Sequence, residues 1–594
     1  MSKEKRYLIT TADERTWEFD RPIIFLGEWC RLYERKDIWQ SMDAIVASPY
    51  GLGLTKKDAD YAEALALEEK LFPVLYKVLN QHHGLQHGER FWRIVLGHWL
   101  KRYVDVMLNR VKTIEQCFQA NEISGTTVYT SDHYSLATQD SYSAIWAFSD
   151  DRWNNALIAR ILNFLGVENC PIKVISGCEL ADFRCGVIMT TPTLKRTVLK
   201  WGRQQVGKLT RCLVRDDDAF IIDSCLPIKE EIKLILSLGQ CPQFWCSPTL
   251  EVSDKHDRGL RERLAKLFVT KSGNNLEDIL FTMVFELLPV CYLEGFANLN
   301  KIVKQEPWPK SPKFIFTSNS FDTDEAFKLW TATKVELGSR YYIGQHGSCY
   351  GTDRYFKARV EEVTGDKFLT WGWTDGLPQH TSAFIFTVAN RKAKHYNPQG
   401  GLLLIELHLN PPLLRWDGTS EFINYFEDQQ NFINELEFTP KQNLIVRLHP
   451  AYRNLNWNEE ARWQAFDPVL KIDTGGTPIR ELIAQSRLVV HSYDSTGILE
   501  TLSNNIPTLA FWQNGFDHLQ DSAKPYYQLL VDAGIVHLTA ESVAQKVNEV
   551  WGDVDGWWGQ GDVQDAREKF CARYARQSEN PVNELKQILS SDTL

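Results

Sequence analysis

Two polar clusters in the last third of the sequence have the composition of a phosphate-binding site. One is Arg447-Leu448-His449-Pro450; the other runs His491-Ser492-Tyr493-Asp494-Ser495-Thr496-Gly497, with Glu500 one helical turn further on. Each closes a short apolar run of the kind that forms a buried strand. Arginine and histidine donate to an anion, and the hydroxyls of Ser492, Ser495 and Thr496 add further donors. Gly497 permits close backbone approach where a helix begins, and the N–H groups there favour a phosphate. Glu500 stands where it could reach a ribose or sugar hydroxyl. Asp473-Thr474-Gly475-Gly476, ahead of a helix starting near Pro478, could close over a base. Taken singly, Ser495 and Thr496 also read as helix caps, His449-Pro450 as a turn and His491 as a core histidine. The coincidence of these clusters at one sheet edge is what favours a shared phosphate site.

A second kind of chemistry is offered by Gly344-Gln345-His346-Gly347, a glycine-flanked loop after a short apolar run. A neutral imidazole titrates near cytoplasmic pH and can take a proton from an acceptor hydroxyl. The plain alternative is a glycine-rich turn carrying an exposed histidine. Gln345 and Gly347 would then line the acceptor side of a cleft. Glu28, after the apolar run 23–26, is the other candidate base, nucleophile or acceptor ligand, and it reads equally as a cap. Asp13 and Asp353 are weaker candidates for the same cleft.

Four regions must position these residues. Residues 6–48 hold two short buried runs ending in polar loops. Residues from about 54 to 300 read as mainly helical, with strong helices over 62–79, 91–111 and 276–288 and weaker ones over 152–164 and 194–209. Short strands are expected there at 171–175 and 219–222. Residues 313–387 return to α/β alternation, with strands at 314–317, 341–343 and 368–371. After a polar loop at 390–400, strands at 402–406, 444–448, 488–491 and 507–512 alternate with helices at 421–436, 478–485 and 496–502. This rhythm specifies a mostly parallel sheet covered on both faces, with ligands at the carboxyl ends of its strands. The expected organisation is an N-terminal acceptor-side α/β domain over 1–390, carrying a helical insertion at about 54–300. A C-terminal nucleotide-donor-binding α/β domain follows over 400–594, and its final helical stretch, 563–589, packs back across the domains.

With 594 residues the chain is too long for one core. A net charge of -10 argues against nucleic acid as a partner, though not against one nucleotide in a local basic pocket. The 20 Trp and 21 Tyr read chiefly as core, with some available as sugar-stacking platforms. The opening residues MSKEKRYLITTADERTWEF hold no apolar run fit for a signal peptide, and no run of about 18 apolar residues occurs anywhere. The 12 Cys are scattered, and the closest pairs, Cys178 with Cys185 and Cys241 with Cys246, lack zinc or redox spacing. A cytoplasmic protein is expected, with peripheral contact at the inner face of the cytoplasmic membrane left open.

The pairing of Arg447-Leu448-His449-Pro450 with Asp494-Ser495-Thr496-Gly497 and Glu500 resembles GT-B glycosyltransferases that use CMP-activated sugars, such as bacterial sialyltransferases and capsule Kdo transferases. Gln345-His346-Gly347-Ser348 is similar to a His-Gly loop of CDP-glycerol glycerophosphotransferases. Over nearly the full length the chain resembles a transferase family of bacterial surface-polysaccharide and O-antigen gene clusters. That resemblance is carried by Phe25-Leu26-Gly27-Glu28-Trp29-Cys30, Phe91-Trp92-Arg93-Ile94, Leu288-Pro289 with Tyr292-Leu293-Glu294-Gly295, Tyr350-Gly351, and Trp371-Gly372-Trp373. It implies a GT-B fold of two Rossmann-like domains facing a cleft. It further implies a metal-independent glycosyltransferase that moves a Kdo-like or nonulosonic acid sugar from a CMP-linked donor to a surface-glycan or other hydroxyl acceptor. Arg447, His449, Pro450, Ser492, Ser495, Thr496, Gly497 and Glu500 would bind the donor, and His346 or Glu28 would act on the acceptor. The acidic motif that sialyltransferases carry in the matching loop is absent, which is why His346 takes its place. No metal and no cofactor beyond the nucleotide-sugar substrate are implied. Alternatives are CDP-alditol phosphate transfer, a UDP-sugar transferase or epimerase, and a non-catalytic nucleotide-binding scaffold of polysaccharide assembly.

Overall fold

The structure, a computed structural model, describes residues 4–591 except 168–169, 177–212, 249, 251–254, 269–272, 391–395, 408–412 and 456. The helix expected over 194–209 and the pair Cys178 and Cys185 lie outside the described residues.

Three parallel sheets organise the chain. The first holds β1 (Arg6–Ile9), β2 (Ile23–Phe25), β3 (Ala44–Val46), β4 (Ile123–Tyr129) and β5 (Ile172–Ile175) in the order β3-β2-β1-β4-β5. The second holds β6 (Phe220–Ile221), β7 (Phe314–Thr317), β8 (Arg340–Gly344), β9 (Lys367–Thr370) and β10 (His380–Ser382), side by side in chain order. The third holds β11 (Gly401–Ile405), β12 (Leu444–Arg447), β13 (Lys471–Asp473), β14 (Ser486–His491), β15 (Thr508–Phe511) and β16 (Val536–His537) in the order β13-β12-β11-β14-β15-β16. All the pairings are parallel. The first and third sheets are doubly wound: the chain starts at a central strand, builds to one side and then crosses to the other. Such sheets present ligand crevices where the direction reverses, between β1 and β4 and between β11 and β14.

The inner strands of the third sheet are buried apolar runs, as a sheet covered on both faces requires; Leu402, Leu403 and Leu404 of β11 and Leu488, Val489 and Val490 of β14 are all fully buried. The α/β class and the parallel sheets are therefore as expected. The segment read as a helical insertion carries the helices Leu54–His83 and Glu89–Ala120, but it also supplies β4, β5 and β6. The strand β4 was not expected. Its sequence, ISGTTVY, has polar residues at four of its seven positions, counting Gly125, and its pairing with β1 breaks register next to that glycine. Local pattern therefore gives little sign of an inner strand.

Helices Gly561–Tyr574 and Pro581–Ser590 cross to the second sheet, where Arg576 N donates to Trp371 O at 2.9 Å and Ile385 N donates to Arg576 O at 2.8 Å. Lys586 Nζ donates to Ser237 O at 2.7 Å. The described residues include no helix long and apolar enough to cross a membrane.

Candidate active site

At the third sheet, Arg447 ends β12 with its Nη1 donating to Asp473 Oδ1 at 2.7 Å and to Leu448 O at 2.9 Å. Burial alone would raise the Asp473 carboxyl, but donors from Thr477 and Gly475 and the charge of Arg447 hold it below its ordinary value. Arg447 thus ties the two loops together. Gly475, at φ +93°, lies where a Cβ would come within 2.5 Å of Pro450 Cα, so only glycine lets the Asp473–Gly476 loop lie against the His449-Pro450 turn. His449 is exposed at the rim. Its Nδ1 accepts from Ala451 N at 3.2 Å, which in the neutral ring leaves the proton on Nε2.

Across the β11–β14 crevice, Ser492 is turned inward. Its Oγ donates to Ile405 O at 2.8 Å and receives the Tyr425 hydroxyl at 2.7 Å, while Leu407 N donates to that tyrosine at 2.7 Å. This chain of bonds stitches the two strand ends together. Ser495 caps the helix Thr496–Ser503, its Oγ accepting from Ile498 N at 3.3 Å. Gly497 rests on His491, where a Cβ would come within 2.7 Å of the ring. Asp494 accepts from Tyr527 at 2.8 Å and from His518 Nε2 at 3.1 Å. Glu500 is partly exposed on the same helix.

The second sheet brings the histidine loop directly to this helix start: Ser348 N donates to Thr496 Oγ1 at 3.1 Å. Gln345 is 1% exposed and acts as a brace rather than a cleft residue. Its Nε2 donates to Gly347 O at 2.8 Å, and its Oε1 accepts from Trp371 N and from Trp373 Nε1, both at 2.9 Å. The braced loop leaves His346 partly exposed between the rings of Phe321 and Tyr350. Burial holds the imidazole below its ordinary value, with Glu361 and Asp322 opposing that shift, so His346 is neutral at pH 7. Tyr350 donates to Glu361 Oε1 at 2.5 Å and lies 3.4 Å from His346 Nδ1. Burial alone would raise Glu361, but Arg359, His98 and Tyr350 together lower it. A tyrosine whose proton goes to a carboxylate can accept Nδ1–H, leaving Nε2 of His346 as the base. Tyr350 and Glu361 were not among the expected site residues. Tyr350 stands four residues beyond His346, but the sequence offers no sign that Glu361 would fold back onto it.

Glu28 and Asp13 belong to the first sheet. Glu28 follows β2 and accepts from Arg31 Nε at 2.9 Å. It lines a cleft between the first sheet and the third, whose described lining includes neither His346 nor Thr496. The two expected acid–base candidates therefore stand in different crevices. Asp13 caps the short turn Glu14–Thr16, pairs with Arg15 and accepts from Tyr129 at 2.8 Å, outside the described lining of that cleft. Asp353 accepts from Tyr355 N at 2.7 Å and bridges to Leu519.

The family model described as LIC12162 family transferase matches residues 6–589. Among curated proteins, none matches the sequence. Among solved structures, MurG of Acinetobacter baumannii is similar at 10% identity and TM-score 0.33, over 63% of this chain and 99% of that one. The S. aureus MnaA–UDP structure is similar at 11% identity and TM-score 0.33, over 64% and 98%. WaaG, a glycosyltransferase of lipopolysaccharide biosynthesis, is similar at 12% identity and TM-score 0.27, over 50% and 95%.

Proposed function

This chain belongs to the LIC12162 family of transferases, and from that premise we propose that it is a GT-B-type glycosyltransferase moving a Kdo-like or nonulosonic acid sugar from a CMP donor to a glycan hydroxyl. The observation that carries the reading is the meeting of the loop Gln345–Ser348 with the helix start Ser495–Gly497 through Ser348 N and Thr496 Oγ1. It sets a neutral imidazole beside backbone N–H groups suited to a phosphate.

In this reading the nucleotide phosphate lies over the β11–β14 crevice, held by Thr496, the N–H groups of the helix start, and His449 Nε2–H from the β12 loop. Arg447 adds positive charge while bracing the Asp473 loop. The acceptor hydroxyl gives its proton to His346 Nε2 as its oxygen bonds to the anomeric carbon. The bond from that carbon to the phosphate oxygen breaks, and its electron pair leaves with CMP. Donors aimed at the departing phosphate stabilise the developing charge, the main catalytic contribution expected in a cleft poor in water. Tyr350 and Glu361 fix the tautomer and balance the imidazolium that forms.

A transfer assay with CMP-linked ulosonic and nonulosonic donors tests this. Replacing His346 by Ala is expected to leave CMP affinity within about twofold while lowering transfer by about 10²–10⁴-fold, the usual worth of a general base. Full transfer by H346A would remove the imidazole from the mechanism.

A further inference from the structure

The cleft holding Glu28 has no role in the donor reading, yet it has the placement and chemistry of a ligand site. It encloses about 1080 Å³, counting space open to solvent. Thr10 and Thr11 enter from the end of β1, Glu28 from the end of β2, and Asp151 from the start of the helix Asp151–Leu165 after β4. These elements flank the β1–β4 reversal of the first sheet, where a doubly wound sheet presents its crevice. The third sheet closes the other side with Trp416–Thr419, Asn454, Leu455, Trp457 and Arg462. The 3-10 turn Tyr452–Leu455 follows the His449-Pro450 pair, so the cleft opens next to the donor loop.

Its polar groups are of two kinds. Some are satisfied within the fold: Arg110 donates to Asn109, Asn154 and Phe148 O, and Arg31 is held by Glu28. Others are not. Arg462 is half-buried between the rings of Tyr33, at 4.3 Å, and Phe426, at 5.8 Å. Its Nε donates to Trp457 O at 2.8 Å, and among the described residues no carboxylate lies within ion-pair distance of it. Burial holds it below its ordinary value, with Tyr33, Glu459 and Glu28 opposing that shift from beyond ion-pair distance. Thr11, 1% exposed, has an Oγ1 with no hydrogen-bond partner, and so does the indole N–H of Trp457. Asp151 accepts from Ala12 N at 3.1 Å, and burial pushes its carboxyl up to about 7, so it can accept from or donate to a hydroxyl. A cation with no ion-pair partner among the described residues, spare hydroxyl and N–H groups, a neutralisable carboxyl and the indoles of Trp29, Trp416 and Trp457 together suit a saccharide. Its apolar face would lie on an indole, its hydroxyls would meet Thr11 and Asp151, and an anionic group would meet Arg462.

We propose that this cleft is a saccharide subsite for the acceptor glycan, selective for a sugar residue bearing an anionic group. The inference rests on the transferase reading, but it concerns a site that shares no lining residue with the nucleotide crevice. Saturation-transfer NMR on the full chain, with D-glucuronate, glucose 6-phosphate and glucose as probes, tests it. CMP titration on the same samples monitors the donor side independently. Both anionic sugars, or one of them, are expected to bind more tightly than glucose, and the stronger of the two identifies the group as carboxylate or phosphate. R462M is expected to weaken the anionic probe about tenfold or more, the worth of a charge-assisted contact, and to bring it level with glucose while CMP affinity and melting temperature hold. Equal binding of charged and neutral sugars, no saccharide binding at all, or an R462M variant that binds glucuronate and glucose 6-phosphate unchanged would overturn the proposal. Failure of CMP binding with sugar selectivity intact would count against the donor reading instead.

Discussion

His346 draws its chemistry from two neighbours. Tyr350 stands 3.4 Å from its Nδ1 and donates its hydroxyl hydrogen bond to Glu361. A phenylalanine at position 350 removes that link while keeping the ring that packs on Phe356 and Phe368. Glu361 then stabilises the imidazolium less, so the His346 pKa falls further and its tautomer is no longer fixed. The groups facing this imidazole are Glu361 and Asp322, which favour its charged form, and Arg359, which opposes it; His98 and Arg102 act on it through those carboxylates. Transfer should rise with pH through an apparent pKa below the ordinary histidine value and then level off. In Y350F the plateau should drop about tenfold or more and the acid limb should move to lower pH. A pH–rate profile that only scales down, with its limb unmoved, would assign Tyr350 a packing role alone. Of this arrangement the sequence reveals His346 and its glycine-flanked loop, because both are local. It does not reveal Glu361, whose approach depends on how the short helix Val360–Thr364 packs in three dimensions.

Loops at the ends of the third sheet are set by contacts that single residues enforce. Gly475 is held at φ +93° with the Pro450 backbone where its side chain would be. Alanine there is expected to cost about 1–3 kcal/mol of stability, seen as a lowered melting temperature, and to weaken CMP binding by displacing the His449 turn. An unchanged melting temperature would show that the two loops separate without cost. Strands and helices of this sheet are legible from their short apolar runs and caps, which is why β11, β12, β14 and β15 fall where the alternation puts them. The short edge strands β13 and β16 are not, since Lys471–Asp473 and Val536–His537 are too brief and polar to carry a pattern. Ser492 shows the limit at the site itself. Its residue type suggests a phosphate ligand, whereas its hydroxyl closes the β11–β14 seam.

Across the whole molecule, three sheets meet through a few connecting segments. One is the stretch 516–520, where Arg354 N donates to His518 O at 2.9 Å, Gln520 N donates to Thr352 O at 2.8 Å, and Asp353 pairs with Leu519. Its His518 side chain is anchored to Asp494 beside the phosphate-binding turn. Burial alone would lower His518, but the bond and charge of Asp494 outweigh it and raise the pKa above its ordinary value. The stabilisation is thus complete below the ordinary histidine pKa of about 6.5 and is lost as pH rises through the raised value. The melting-temperature gap between the wild-type chain and H518Q should be widest near pH 6 and narrow by pH 8.5; a constant gap would mean the charge of His518 does not hold the segment. The strands at 171–175 and 219–222 are legible in the sequence, but the division of the N-terminal part into two sheets is not, because β4 is polar and nothing local shows that β5 completes the first sheet while β6 opens the second. The central claim is that the third sheet, with His449 at its rim and Thr496 at its helix start, binds a cytidine nucleotide. Isothermal titration with CMP and UDP, on the wild-type chain and on H449A, tests it most directly. CMP should bind more tightly than UDP, and H449A should weaken CMP by about tenfold or more; a preference for UDP, or CMP binding untouched by H449A, would contradict it.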